Sequence, residues 1–197
     1  MRVYEPPEKA DILVSELLAS FGDNELSPEC LDGAQRFLKR SGISIPRPAD
    51  KTLRTCYETP YIIHLVNYYQ IAPAQALFKF EHPNWSDVIN NERYKKLKFN
   101  CTQNRVLTGF VGFFDTVLYK DVMLSTHPET HTHEMVTWFP IVFPLQKPLK
   151  VQAGSVIEIS FWRVENPDKV WYEWCLEAPM KGCIMNPNGR SYFIKKH

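Results

Sequence analysis

Two glutamates, Glu16 and Glu25, stand nine residues apart in the stretch S-E-L-L-A-S-F-G-D-N-E-L-S-P-E that spans residues 15–29. Two carboxylates brought to one opening make a clamp for a cation with several N–H donors. A guanidinium suits it best, because its planar fork meets carboxylate oxygens two at a time. Spacing alone does not demand this, since charged side chains are mostly solvated. Two details favour the clamp. Glu16 follows directly on the apolar run Ile12-Leu13-Val14, and Glu25 precedes a helix start, where free backbone N–H groups favour a carboxylate. Paired carboxylates also serve glycoside hydrolysis or a hard metal ion. The chain has no evident sugar platform, and a hard cation needs more oxygen ligands than this pair offers.

Other residues invite chemistry less strongly. His127, His131 and His133 lie in T-H-P-E-T-H-T-H-E beside Glu129 and Glu134. Three imidazoles and a carboxylate could bind zinc, but the Pro and Thr content reads as a solvated hairpin tip, and no metal site is expected. Five widely spaced cysteines without a C-x-x-C fit free thiols in a reducing compartment. Arg93–Lys98 alternates as a strand with one wet face, and Lys195-Lys196-His197 reads as a solvated tail.

The formal net charge is +1 and the pI is near 7.7, which gives no electrostatic case for direct nucleic-acid binding or an anionic membrane. No run is long and apolar enough for a membrane span. The charge is uneven: residues 1–40 carry net −3 and the remainder net +4. The acidic end, with the glutamate pair, suits a cationic guest.

The elements that must position the pair are legible. Asp11–Ser15 reads as a short, buried, parallel-type strand, and chemistry in α/β sheets sits just past the carboxyl ends of such strands. Gly22-Asp23-Asn24 is a turn that returns Glu25 towards Glu16. Ser27-Pro28-Glu29 predicts a helix start with Ser27 as N-cap, running to about Arg40 and ending at Gly42. No second β-α-β unit is evident later. The strand is therefore either an edge graft onto another architecture or, the favoured reading, the last piece of a larger α/β domain, which would leave apolar surface exposed near the N-terminus. From residue 43 onward the signals are β: 61–69, 76–80, 94–99, 106–119, 121–125, 137–143, 149–151, 156–164, 170–177 and 192–195. Within 156–164, Ile157, Ile159 and Phe161 share one side. Gly109 and Gly112 suggest bulges or close approaches. Arg47–Thr59 reads as a flexible connection. The expected class is mainly β, an antiparallel sandwich or barrel after an α/β remnant, divided as 1–42 and 43–197.

These residues carry a resemblance. V-S-E-L-L-A-S-F-G-D-N-E-L-S-P-E-C-L-D-G-A is similar to the double-glutamate loop of the protein arginine methyltransferases. The match is closest to the type II branch, numbered five, that makes symmetric dimethylarginine. It continues through G-F-V-G-F-F-D-T-V-L-Y (109–119), T-W-F-P-I-V-F-P (137–144), V-W-Y-E-W (170–174) and N-P-N-G-R-S-Y (186–192). The resemblance implies a Rossmann-like methyltransferase domain, represented by its C-terminal remnant (strand, double-glutamate loop, helix), followed by an antiparallel β-barrel. It implies methyl transfer from S-adenosyl-L-methionine to an arginine held by Glu16 and Glu25. Thr137, Trp138 and Phe139 would fall in the barrel loop that closes over the substrate; barrel packing is the other reading of Trp138. Met1 would match the end of a segment that contacts the adenine.

The resemblance further implies arginine-containing substrates such as histones and RNA-processing proteins, a WD-repeat partner protein, and cytoplasmic and nuclear residence. Two departures follow. The glycine-rich cofactor loop, the ribose-binding acid and the product-tuning aromatic residue of the family would precede Met1, so the donor site is expected to be incomplete here and the 197 residues alone inactive. The segment Arg47–Thr59 is shorter than the family's dimer-forming insertion. The competing reading is a non-catalytic β-barrel module that docks on a partner or on the complete enzyme.

Overall fold

The computed structural model describes residues 4–46, 49–54 and 69–196. The chain opens with β1 (Ala10–Val14), a loop, α1 (Ser27–Ala34), a 3-10 turn (Gln35–Phe37) and β2 (Leu38–Ile45). β2 lies parallel to β1, with Ile12 opposite Ile43 and Val14 opposite Ile45. A β-α-β unit is therefore present, and the partner strand is the segment assigned from sequence to the end of the helix. α1 stops at Ala34 because the apolar residues that follow serve the strand instead: Leu38 is buried, and Ile43 and Ile45 pair along β1. Gly42 does not end a helix; a Cβ there would lie 2.6 Å from the Leu38 side chain, so the strand can cross Leu38 only without one. The division expected at residue 42/43 falls inside β2.

β1 is exposed rather than buried: Ile12 retains 55% and Val14 70% of their accessible surface. A parallel pair normally has both faces covered, and here apolar surface near the N-terminus is open.

The rest is antiparallel. β3 (Ala49–Arg54), β4 (Gln75–Phe80), β6 (Arg105–Tyr119), β7 (Val122–Ser125) and β8 (Ile141–Val151) form one sheet. The long β6 is its spine, pairing with β3 on one edge and with β8 and then β7 on the other. β5 (Arg93–Asn100), β9 (Val156–Glu165), β10 (Lys169–Ala178) and β11 (Ile194–Lys195) form the second sheet, in the order β11-β10-β9-β5. Period-two burial marks β5 and β9, whereas the centre of β6, from Gly109 to Phe114, is buried on both faces. In β9, Ile157, Ile159 and Phe161 point inward onto Phe99, Phe110, Phe143 and Trp174.

No backbone ladder among the described residues joins the two sheets, so hydrogen-bonded strands do not close a barrel. Side chains bridge both seams instead. Gln75 donates to the Lys98 carbonyl and Lys95 to the Ala76 carbonyl, each at 2.6 Å. On the other side the Trp174 indole donates to the Pro144 carbonyl at 2.6 Å.

Several sequence expectations are corrected. Residues 49–54, read as flexible, form β3 between β4 and β6. Residues 137–140 precede β8 rather than belonging to it. His127 is buried against the Phe113 ring at 5.4 Å, whereas His131 and His133 are exposed. Lys195 lies in β11, and Lys196 is paired with Glu165 at 2.5 Å instead of trailing in solvent. The expected strand at 61–69 and Met1 lie outside the described residues, except for Tyr69.

Candidate active site: the glutamate loop and its anchors

The loop from β1 to α1 is built on three anchors. The first is apolar. Phe21 is fully buried in the core between the two sheets, with its ring 5.1 Å from Phe143 and 5.5 Å from Tyr172. It occupies a slot in β6: a Cβ on Gly112 would sit 2.3 Å from the Phe21 ring. Glycine is required there because another group comes so close. Burying such a ring contributes about 1.5–3 kcal/mol.

The second anchor is the turn. Gly22 adopts a positive φ of 79°, where a Cβ is unfavourable. The Asn24 side-chain oxygen accepts the Phe21 N–H at 2.7 Å. Ser27 is the first helical residue rather than the N-cap, and its hydroxyl donates to the Gly22 carbonyl at 2.9 Å, tying the helix start to the turn.

The third anchor is ionic. Asp23 has no exposed side-chain surface, and neither has Arg163 of β9; Arg163 Nε donates to Asp23 Oδ2 at 2.5 Å. The Tyr172 hydroxyl of β10 donates to Asp23 Oδ1. Arg163 also donates from Nη2 to Glu29 of α1 at 2.9 Å and from Nη1 to the Asn91 carbonyl at 3.1 Å. Burial opposes the Arg163 charge, but Asp23 and Glu29 outweigh it and hold the guanidinium above its usual range.

With the loop fixed in this way, Glu16 lies two residues beyond β1 and Glu25 two residues beyond Asp23, both exposed. They are close enough to interact. Burial first, and then the Glu16 charge, raise the Glu25 carboxyl above the usual carboxylate range. Of the four acids at the loop and helix start, Asp23 and Glu29 are consumed by Arg163, and Glu16 and Glu25 are left facing solvent. Two like charges presented together are a standing demand for a cation.

Trp138 is half-buried, with a positive φ of 62°, and its ring meets Phe114 edge-on at 6.0 Å. Phe114 is two residues along β6 from Gly112, hence on the same face. Trp138 and Phe21 therefore touch neighbouring positions of one strand, which brings the two segments to the same stretch of β6. Thr137 is exposed and Phe139 half-buried. Among the described residues, no three His, Cys, Asp or Glu side chains are grouped to hold a metal ion.

Sequence reasoning missed Asp23, Arg163 and Tyr172. A signal was present for Arg163: it shares the parity of Ile157, Ile159 and Phe161, and a charge on an apolar face requires a buried partner.

Comparison with known proteins agrees with this layout. Residues 43–194 match the family model described as the PRMT5 oligomerisation domain, and residues 1–45 match that of the PRMT5 arginine-N-methyltransferase. Protein arginine N-methyltransferase 5 of Xenopus laevis is 48% identical over 98% of this chain and 34% of its own length. Its namesake from Oryza sativa subsp. indica is 50% identical over 98% of this chain and 33% of its own length. The chain thus spans about a third of the curated relatives it matches. A solved Trypanosoma brucei PRMT1 enzyme-prozyme heterotetrameric complex with AdoHcy superposes with a TM-score of 0.75 at 14% identity, covering 93% of this chain and 69% of that one, a likeness of fold. On the family-model matches across both of its parts, the chain belongs to the PRMT5 family of protein arginine N-methyltransferases.

Proposed function

We propose that this chain supplies the arginine-holding half of a symmetric-dimethylating, type II protein arginine methyltransferase, with Glu16 and Glu25 as the clamp. The observation that carries the reading is a pair of exposed carboxylates, Glu16 and Glu25, on the two sides of a loop locked at Phe21, Gly22 and Asp23.

The chemistry follows from the guanidinium. Arginine is protonated at any physiological pH, so its nitrogen lone pairs are delocalised and poor nucleophiles. Carboxylates accepting N–H bonds from two nitrogens fix the plane and draw positive charge towards themselves, leaving the third nitrogen aimed at the methyl group. Fixed orientation supplies much of the acceleration of such a displacement. The same carboxylates stabilise the cation formed on transfer. The raised carboxyl of Glu25 suits it to accept the departing proton. Trp138, with Thr137 and Phe139, covers the bound arginine from the β6 side.

S-adenosyl-L-methionine, the donor the family implies, supplies a methyl group on a sulfonium. The described residues beside the pair do not fit it: Ile12 and Val14 stand open to solvent and do not enclose an adenine ring. We therefore derive no step through the donor, and expect the 197 residues by themselves to bind it negligibly; isothermal titration showing micromolar binding would refute this. Arginine-rich protein substrates, histones and RNA-processing proteins among them, a WD-repeat partner and cytoplasmic and nuclear residence belong to the same proposal. For the clamp the test is direct. Glu16→Gln and Glu25→Gln, each made in the full-length protein, should abolish methylation of an arginine peptide, and full activity in either would sink it.

The family match over residues 43–194, described as an oligomerisation domain, favours a second role, self-association through the β part. Light scattering across a concentration series tests it, and a monomer at every concentration would refute it.

A further inference from the structure

We infer that Arg163 and Tyr172 are positioning residues for the glutamate pair: by gripping Asp23 at the centre of the loop, they set how Glu16 and Glu25 face the arginine. The inference rests on the clamp reading above and adds residues that lie outside it, on strands of the second sheet.

The geometry is that of a fixed point. Both Asp23 oxygens are used, one by Arg163 and one by the Tyr172 hydroxyl. Arg163 is itself held from three sides, by Asp23, by Glu29 of α1 and by the Asn91 carbonyl. The Tyr172 ring is pinned by Phe21 at 5.5 Å, by Phe143 at 5.8 Å and by the stacked Tyr192 at 6.5 Å. Asn186 ties the two tyrosines together, its amide donating to the Tyr172 carbonyl at 2.9 Å and to the Tyr192 carbonyl at 2.8 Å. Residues 21 and 23 are therefore referenced to β9, β10 and the segment after them, and Asn24 to residue 21, whose N–H it caps. Glu25 is the next residue along, so little backbone freedom separates its carboxylate from that fixed frame.

A packing role alone would not call for this chemistry. A buried ion pair stabilises a fold no better than apolar residues of the same shape. What it supplies that they do not is direction, since a guanidinium fork and a hydroxyl accept only one placement of the carboxylate between them. The arrangement also sorts the acids: Arg163 absorbs Asp23 and Glu29 and leaves the other two for a guest. Burial, and then Asp23, hold the Tyr172 hydroxyl well above its usual range, so it stays a donor.

The test uses the full-length protein and an arginine peptide. Tyr172→Phe keeps the ring and removes one donor. It should raise the peptide KM and lower kcat/KM roughly tenfold to a hundredfold, the order expected when a reacting group is misplaced by an ångström. It should also move the acid limb of the pH–kcat/KM profile to lower pH, because a loosened Glu25 draws away from Glu16. Arg163→Lys should act in the same direction, since an ammonium lacks the fork. Peptide KM and the acid limb do not depend on how much enzyme is folded. If Tyr172→Phe lowers only the melting temperature and leaves both at wild-type values, the residues are structural and the inference falls, even if Arg163→Lys cannot be folded. Glu16→Gln and Glu25→Gln run beside it separate the two ideas: full activity there overturns the clamp itself, whereas loss there with a normal Tyr172→Phe overturns the positioning alone.

Discussion

Arg163 and Asp23, 140 residues apart in sequence, meet as an ion pair with no exposed side-chain surface. It joins the loop of a β-α-β unit to the middle of an antiparallel sheet, so a buried electrostatic contact ties the two parts of the chain together. Removing one partner leaves a bare charge in the core. Asp23→Ala or Arg163→Met should each cost about 3–5 kcal/mol. The double variant should cost clearly less than the sum of the two, because the two fully buried charges then leave together and only the half-buried Glu29 loses its partner. Urea unfolding of all four proteins measures this, and strict additivity would contradict the pairing.

Glu25 should titrate high. Its carboxyl is raised by burial and by Glu16. Raised in the folded state, it favours folding at low pH, where it is protonated, and that contribution is lost as pH rises through the folded value. Glu16→Gln removes the like charge and should bring Glu25 down. Carboxyl-carbon NMR titration reads both values, and an unmoved Glu25 would mean the two carboxylates do not meet. Since the clamp needs Glu25 ionised, arginine-peptide affinity should fall as pH drops through its pKa.

Gly112→Ala should destabilise by about 1–3 kcal/mol, the usual cost of overpacking. The new methyl would stand 2.3 Å from the Phe21 ring. Phe21→Leu in the same chain should recover part of the loss, as thermal unfolding would show. A neutral Gly112→Ala would mean that the loop does not dock on β6 in this way.

Trp138→Ala should separate binding from folding. The ring is half-buried and rests on Phe114, in the same stretch of β6 that Phe21 touches. In the full-length protein, kcat/KM for an arginine peptide should fall roughly tenfold with only a small change in melting temperature. A large melting shift with unaltered peptide KM would return Trp138 to barrel packing.

Where sequence reading succeeded, the signal was local. Alternation marked β5 and β9 within a residue or two, since inward side chains of a half-buried strand repeat every second position, and aromatic and β-branched content marked β6 and β10. Gly22-Asp23-Asn24 announced its turn because few residues tolerate that backbone. Where reading failed, the cause lay elsewhere in space. Leu38–Ile45 followed a helix and carried Lys39, Arg40 and Gly42, a plausible helix end, and only pairing with β1 makes it a strand. Ala49–Arg54 looked like linker until β4 and β6 flanked it.

The sequence by itself determined the chemistry on offer: two glutamates set on either side of a tight turn, beyond an apolar strand, in a pattern shared with one enzyme family. It also determined which face of β9 turns inward, because that depends on period alone. Tertiary structure decided which acids remain available. Asp23, Glu25 and Glu29 are equivalent in sequence, all carboxylates within seven residues. Arg163, brought from the far sheet, neutralises Asp23 and Glu29 in the interior, where an unpaired charge cannot be tolerated, and leaves Glu25 beside Glu16.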